Sequence, residues 1–153
     1  MSERVDDQTF AVVVRNAPLV SIDLILRDPE GRIFVGRRNN EPAKGMFFVP
    51  GGVVRKNETL DVAFRRVLAI ETGLSGERSA ARLLGAYEHF YSTNRYGDPA
   101  YGTHYVVLAH EIVFARRPEI LLDAQHSELR WMSDAEVLEA PDVHENTKAY
   151  CRR

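Results

Sequence analysis

A chain of 153 residues with 44% hydrophobic content can bury one real core, and it is read as a single domain over 1–153. Its 20 Lys and Arg against 22 Asp and Glu leave a net charge of -2, which argues against nucleic-acid or anionic-membrane partners and for a small-molecule partner. Cys151, the single cysteine, excludes an internal disulfide; no apolar run approaches the roughly 18 residues of a membrane span, and the start MSERVDDQTF is acidic and polar, so the expected location is cytoplasmic.

In chain order, DDQTFAVVVRNAP predicts a short N-terminal helix capped by Asp6 or Asp7 and closed by Pro18. LVSIDLILRD and RIFVGRR are apolar, β-branched runs joined by the turn residues DPEG, which predicts a hairpin. MFFVP predicts a third short strand, and ETLDVAFRRVLAIETG a helix. LLGAYEHFY and YGTHYVVLAHEIVFA follow as strands around the polar loop STNRYGDPA. SELRWMS predicts a last strand, with helical DAEVLEA and ENTKAYCRR behind it. Strands and helices mix without strict alternation or repeat, so the expectation is an α+β or a layered α/β/α domain.

One carboxylate breaks the pattern of the central helix. At about 100° per residue, Leu60, Phe64 and Val67 fall within roughly 60° of one another, and Glu71 projects onto the middle of the same stripe. Asn57 is the expected cap, Glu58 and Asp61 suit the positive end, and Gly73 ends the helix without any need of Glu71. For a generic helix, fraying or a surface ion pair would explain such a residue. The preceding PGG permits a sharp bend and a close backbone approach, and a carboxylate beside it suits a hard cation bound to phosphate oxygens.

Gly52, Glu58, Arg66, Leu68, Glu71, Gly73 and Leu74, at these spacings, resemble the Nudix box of the nucleoside-diphosphate-X hydrolases. Two positions depart from that pattern, with Val67 and Ile70 where the box carries glutamates. APLVSIDLIL, GRRNNEPAKGMFFVPGG, EHFY, THYVVLAH, AQHSELRWM and VHENTKAY extend the likeness over nearly the whole chain to the GDP-mannose mannosyl hydrolase branch, which lacks the same two glutamates. The resemblance implies an α/β fold, a Nudix-type α/β/α sandwich with a mixed sheet. It also implies a homodimer, and hydrolysis of GDP-mannose, with GDP-glucose as a further candidate, by water attack at the anomeric carbon with inversion.

The same resemblance implies the roles of single residues. Gly51 (through its carbonyl), Glu71 and Gln125 match the ligands of one Mg²⁺, and His126 matches the general base, a role for which an imidazole titrating near neutrality is suited. Arg38 matches the arginine that supports the departing diphosphate, and Asp23, His89 and Tyr105 match substrate contacts. Taken alone, Gln125 and His126 would be solvated loop residues, Arg38 an exposed strand residue and Tyr105 core. Asp23 is different, because an unpaired carboxylate in an apolar run is costly. Where the branch has a second arginine this chain has Val53, and Arg55, two residues along an extended segment, is the candidate substitute. Glu58 and Arg66 are expected to be architectural. The competing readings are a conventional pyrophosphohydrolase of a nucleotide sugar or nucleotide, and a non-catalytic nucleotide-sugar sensor.

Overall fold

The computed structural model describes residues 4–121 and 126–152, with the backbone alone at His126. Helix α1 (Asp7–Asn16) opens on Asp6, whose side chain accepts the Thr9 N–H, and ends where Ala17 turns extended before Pro18. Val14 is its one buried residue, so α1 lies on the domain as an appendage.

Strand β1 (Leu19–Arg27) is the axis of the mixed sheet. It pairs in parallel with β6 (Thr103–Val113), from Leu19 opposite Tyr105 to Arg27 opposite Val113. Covered on both faces, it needs apolar residues on both, hence the run VSIDLIL. The expected hairpin joins it to β2 (Ile33–Arg38), and Asp28 Oδ1 accepts the Glu30 and Arg32 N–H groups at 2.9 Å in the turn. Strands β3 (Phe47–Phe48) and β7 (His126–Met132) flank β2, and β5 (Arg82–Tyr91) pairs with β6 around the polar loop.

Two sequence expectations change. PGG is not a bend: Gly51–Val53 forms strand β4, antiparallel to β1, with Asp23 opposite Gly51 and Ile22 opposite Gly52. Helix α2 (Leu60–Thr72) is capped by Thr59, which accepts the Val62 N–H at 3.2 Å; Asn57 instead takes the left-handed φ of 68° in the preceding turn. Gly73 closes the helix at φ 74°, as expected.

Because side chains alternate along a strand, β1 feeds two apolar layers. Ile22, Leu24 and Leu26 pack with Ala63, Phe64, Val67 and Leu68 of α2. Ile25 packs on the other face with Val35, Phe47 and Ala109, under α3 (Asp134–Glu139), α4 (Glu145–Lys148) and the turn Ala149–Cys151. The result is an α/β domain with helices on both faces of the sheet. Asp23, out of step with Ile22 and Leu24, points into the second layer.

Candidate functional site

The β4–α2 connection is held by one buried ion pair. Arg66 bonds Glu58 through Nε to Oε2 and Nη2 to Oε1, both 2.8 Å, and also donates to the Val53 carbonyl at 2.7 Å. Glu58, its side chain 1% exposed, also accepts the Arg55 N–H at 2.7 Å. Such charge-assisted bonds lock the loop on the helix, which is the architectural role expected of this pair.

Each glycine of β4 admits a different neighbour. A Cβ on Gly52 would lie 2.9 Å from Val67 Cγ2, so Gly52 lets α2 approach. A Cβ on Gly51 would lie 2.3 Å from Asp23 Oδ1 and 2.9 Å from the Ile22 carbonyl, so Gly51 lets the Asp23 carboxylate lie over the strand. Glu71 is 8% exposed on the sheet-facing stripe of α2, which sets aside the frayed-turn explanation. Of the two positions lacking box glutamates, Val67 is buried against Gly52 and Ile70 is exposed.

Backbone polarity orients the Gly51 carbonyl. The Leu24 N–H bonds the Pro50 carbonyl and the Val54 N–H bonds the Val20 carbonyl, which turns the even-numbered groups here toward β1. The carbonyls of Gly51 and Val53 therefore face the other edge, where Arg66 of α2 meets Val53. Among the described residues no group of three or more His, Cys, Asp or Glu side chains could hold a metal. A carboxylate and a backbone carbonyl are hard oxygen donors, a set that fits Mg²⁺ completed by water and phosphate oxygens.

On the opposite face lies a polar and aromatic cluster. Tyr150 donates its hydroxyl to Asp23 Oδ2 at 2.6 Å and stands 3.4 Å from His89 Nε2. Burial pushes the Asp23 carboxyl up to about 6, against the opposing Tyr150 hydrogen bond and Arg38 charge. Burial, then the neighbouring His144, holds His89 down to about 4, so that imidazole is neutral at physiological pH. Tyr91 and Tyr105 are raised, chiefly by burial, and the Arg38 charge opposes the rise in both. Arg38 itself donates Nε to the Pro42 carbonyl at 3.0 Å, which anchors the guanidinium. His144 stacks on Phe48 at 4.7 Å and caps α4 by accepting the Asn146 N–H on Nδ1. With Nδ1 so engaged, the proton of the neutral ring belongs on Nε2.

The fold thus gathers Asp23, Arg38, His89 and Tyr105 on one face, holds Glu71 on the helix covering the other, and sets Gly51 between them. Arg55 opens the turn after β4 rather than continuing the strand, since its carbonyl accepts the Glu58 N–H. The cations acting on Tyr105 are Arg38 and Arg95. Gln125 and the His126 side chain lie outside the described residues, although the His126 backbone stands opposite Arg38 in the β2–β7 register. Phe48, Tyr91, His144 and Tyr150 belong to this cluster and were not singled out from sequence. Asp23 in an apolar strand did signal that a buried donor had to exist, but nothing local identified the C-terminal Tyr150 as that donor.

The NUDIX domain model matches residues 17–152. The low-salt glycan biosynthesis protein Agl8 of Haloferax volcanii is 41% identical over 127 residues, 83% of this chain and 78% of that protein. An ADP-ribose pyrophosphatase of Methanocaldococcus jannaschii is 39% identical over 70 residues, covering 46% of this chain and 40% of that protein. Among solved structures, the MutT NUDIX hydrolase of Burkholderia pseudomallei superposes with TM-score 0.70 at 26% identity, over 89% of this chain and 97% of that one. The NUDIX domain of Shewanella oneidensis NrtR, complexed with ADP ribose, superposes with TM-score 0.67 at 19% identity, over 97% and 90%. With its box glutamate, glycines and bidentate clip in place on this fold, the chain belongs to the NUDIX domain family of hydrolases.

Proposed function

We propose that this NUDIX hydrolase is a GDP-mannose mannosyl hydrolase, with GDP-glucose a second candidate substrate. The observation that carries the reading is the sheet-facing stripe of α2, where Glu71 is retained and Val67 fills the place of a box glutamate against Gly52. A stripe with one carboxylate suits one cation, whereas the conventional box uses a glutamate cluster for attack at phosphorus. The Asp23, His89, Tyr150 and Arg38 cluster, polar within an aromatic wall, suits a sugar diphosphate.

Water attacks the anomeric carbon in this reading, and the bond from that carbon to the diphosphate oxygen breaks with its electron pair on GDP. His126 takes the proton from the water, and Arg38 stabilises the charge developing on the diphosphate. Gly51, Glu71 and Gln125 would hold Mg²⁺, which when bound supplies further neutralisation of the diphosphate. Asp23 and Tyr105 orient the substrate, and the chain works as a homodimer.

Hydrolysis of GDP-mannose in ¹⁸O-labelled water tests the bond. Label in mannose with unlabelled GDP supports the reading, and label in GMP or mannose phosphate overturns it. That second outcome would favour a pyrophosphohydrolase, an alternative encouraged by the relative named an ADP-ribose pyrophosphatase.

A further inference from the structure

We propose that Tyr150 is a positioning residue that engages Oδ2 of Asp23 and leaves Oδ1, over Gly51, as the acceptor for a hydroxyl of the bound sugar. This rests on the nucleotide-sugar reading above and adds to it a residue and an orientation.

The hydrogen-bond count fixes the direction. A phenol carries one proton, and Tyr150 has an acceptor at 2.6 Å in Asp23 Oδ2 and a more distant neighbour at 3.4 Å in His89 Nε2. The proton goes to the nearer oxygen, so His89 meets the phenol oxygen as a donor. The chain therefore runs from His89 Nε2–H to Tyr150 O–H to Asp23 Oδ2. Among the described residues no second donor to Asp23 is found, and Oδ1 lies where any Cβ at position 51 would collide with it. A sugar hydroxyl is the donor that this acceptor lacks.

The phenol is fixed before substrate arrives. Tyr150 is 7% exposed within the apolar layer of Phe47, Val143 and Cys151, and Tyr87 meets its ring edge-on at 4.9 Å. A side chain locked by packing holds its partner in one orientation, so less ordering remains to be done on binding. The C-terminal turn Ala149–Cys151 is thus structurally part of the site.

The test uses the full chain, with GDP-mannose as substrate and GDP as a ligand lacking the sugar. Tyr150→Phe and Asp23→Asn are each expected to raise KM about tenfold with a smaller change in kcat, the scale of one charge-assisted hydrogen bond. The dissociation constant for GDP should stay the same, and Tyr150→Phe should add nothing in the Asp23→Asn background. Equal weakening of GDP binding, or full additivity, would reduce Tyr150 to a packing residue and overturn the proposal. An NMR spectrum of the wild-type His89 imidazole nitrogens needs no variant. A protonated Nε2 supports the chain, and a protonated Nδ1 with bare Nε2 overturns it. Should the wild type split no nucleotide sugar, or split it at phosphorus, the functional reading and the sugar role fall together, while that spectrum separately judges the hydrogen-bond chain.

Discussion

Asp23 shows what a single residue implies inside an apolar strand: burial raises its proton affinity, and Tyr150 and Arg38 act to restore the charge. Gly51 is its necessary counterpart. Gly51→Ala would put a methyl 2.3 Å from Oδ1 and 2.9 Å from the Ile22 carbonyl, and the backbone oxygen cannot rotate away. Activity is expected to fall at least tenfold in a steady-state assay, with the melting temperature also lowered. His89 gives a pH signature of definite sign. Its folded pKa near 4 lies below the ordinary 6.5, so the unfolded chain binds the extra proton between those values. The His89 contribution is complete above pH 6.5 and is lost as pH falls toward 4. Asp23, raised to about 6, acts oppositely in the overlapping window, which makes the difference between two proteins the useful measurement. Urea unfolding in metal-free buffer should show that wild type loses stability relative to His89→Gln on acidification from pH 6.5 to 4. Tyr91, Tyr105, Tyr150 and His144, titratable groups beside that ring, remain in both proteins.

At the scale of the element, α2 was the most legible part of the chain. Its apolar stripe, its glycine stop and the inward direction of Glu71 all followed from spacing, because helical periodicity is local. The cap differs from the expected Asn57 for an equally local reason: Asn57 and Thr59 are both good capping residues, and the tight turn takes Asn57 for its positive φ. Removing Arg66 leaves the buried Glu58 carboxylate without its bidentate partner, so Arg66→Ala should cost about 3 kcal/mol by denaturant unfolding. The two missing glutamates should behave differently when introduced. Val67→Glu forces a charge into the contact with Gly52 and should destabilise by about 2–4 kcal/mol, whereas Ile70→Glu, at 52% exposure, should stay within about 0.5 kcal/mol. Equal effects would show that α2 tolerates a carboxylate on its packed face.

Across the whole molecule, the candidate site is divided by the sheet. Glu71 comes from the helix on one face, Asp23 and Tyr150 lie on the other, and the short strand β4 connects them through Gly51. That division predicts separable defects. Glu71→Gln should shift the magnesium concentration for half-maximal rate upward and lower the rate, while Asp23→Asn should raise KM for the nucleotide sugar without moving the magnesium midpoint. Titrating both variants with magnesium at saturating substrate checks this. A common shift would mean that the two faces form a single metal centre.

Among the described residues no helix is long and apolar enough to cross a membrane. Determined by sequence were those features carried by local periodicity or by spacing within one segment: the β1–β2 hairpin, the amphipathic α2 and the Gly52-to-Leu74 box. Tertiary structure decided what depends on distant segments meeting. β4 became a strand because β1 offered it an edge, Asp23 found its donor 127 residues away in Tyr150, and His89, Tyr91 and His144 came together through β5 and the C-terminal layer. A buried carboxylate requires a donor, but only chain packing selects which one, because that choice depends on where each strand and helix comes to rest.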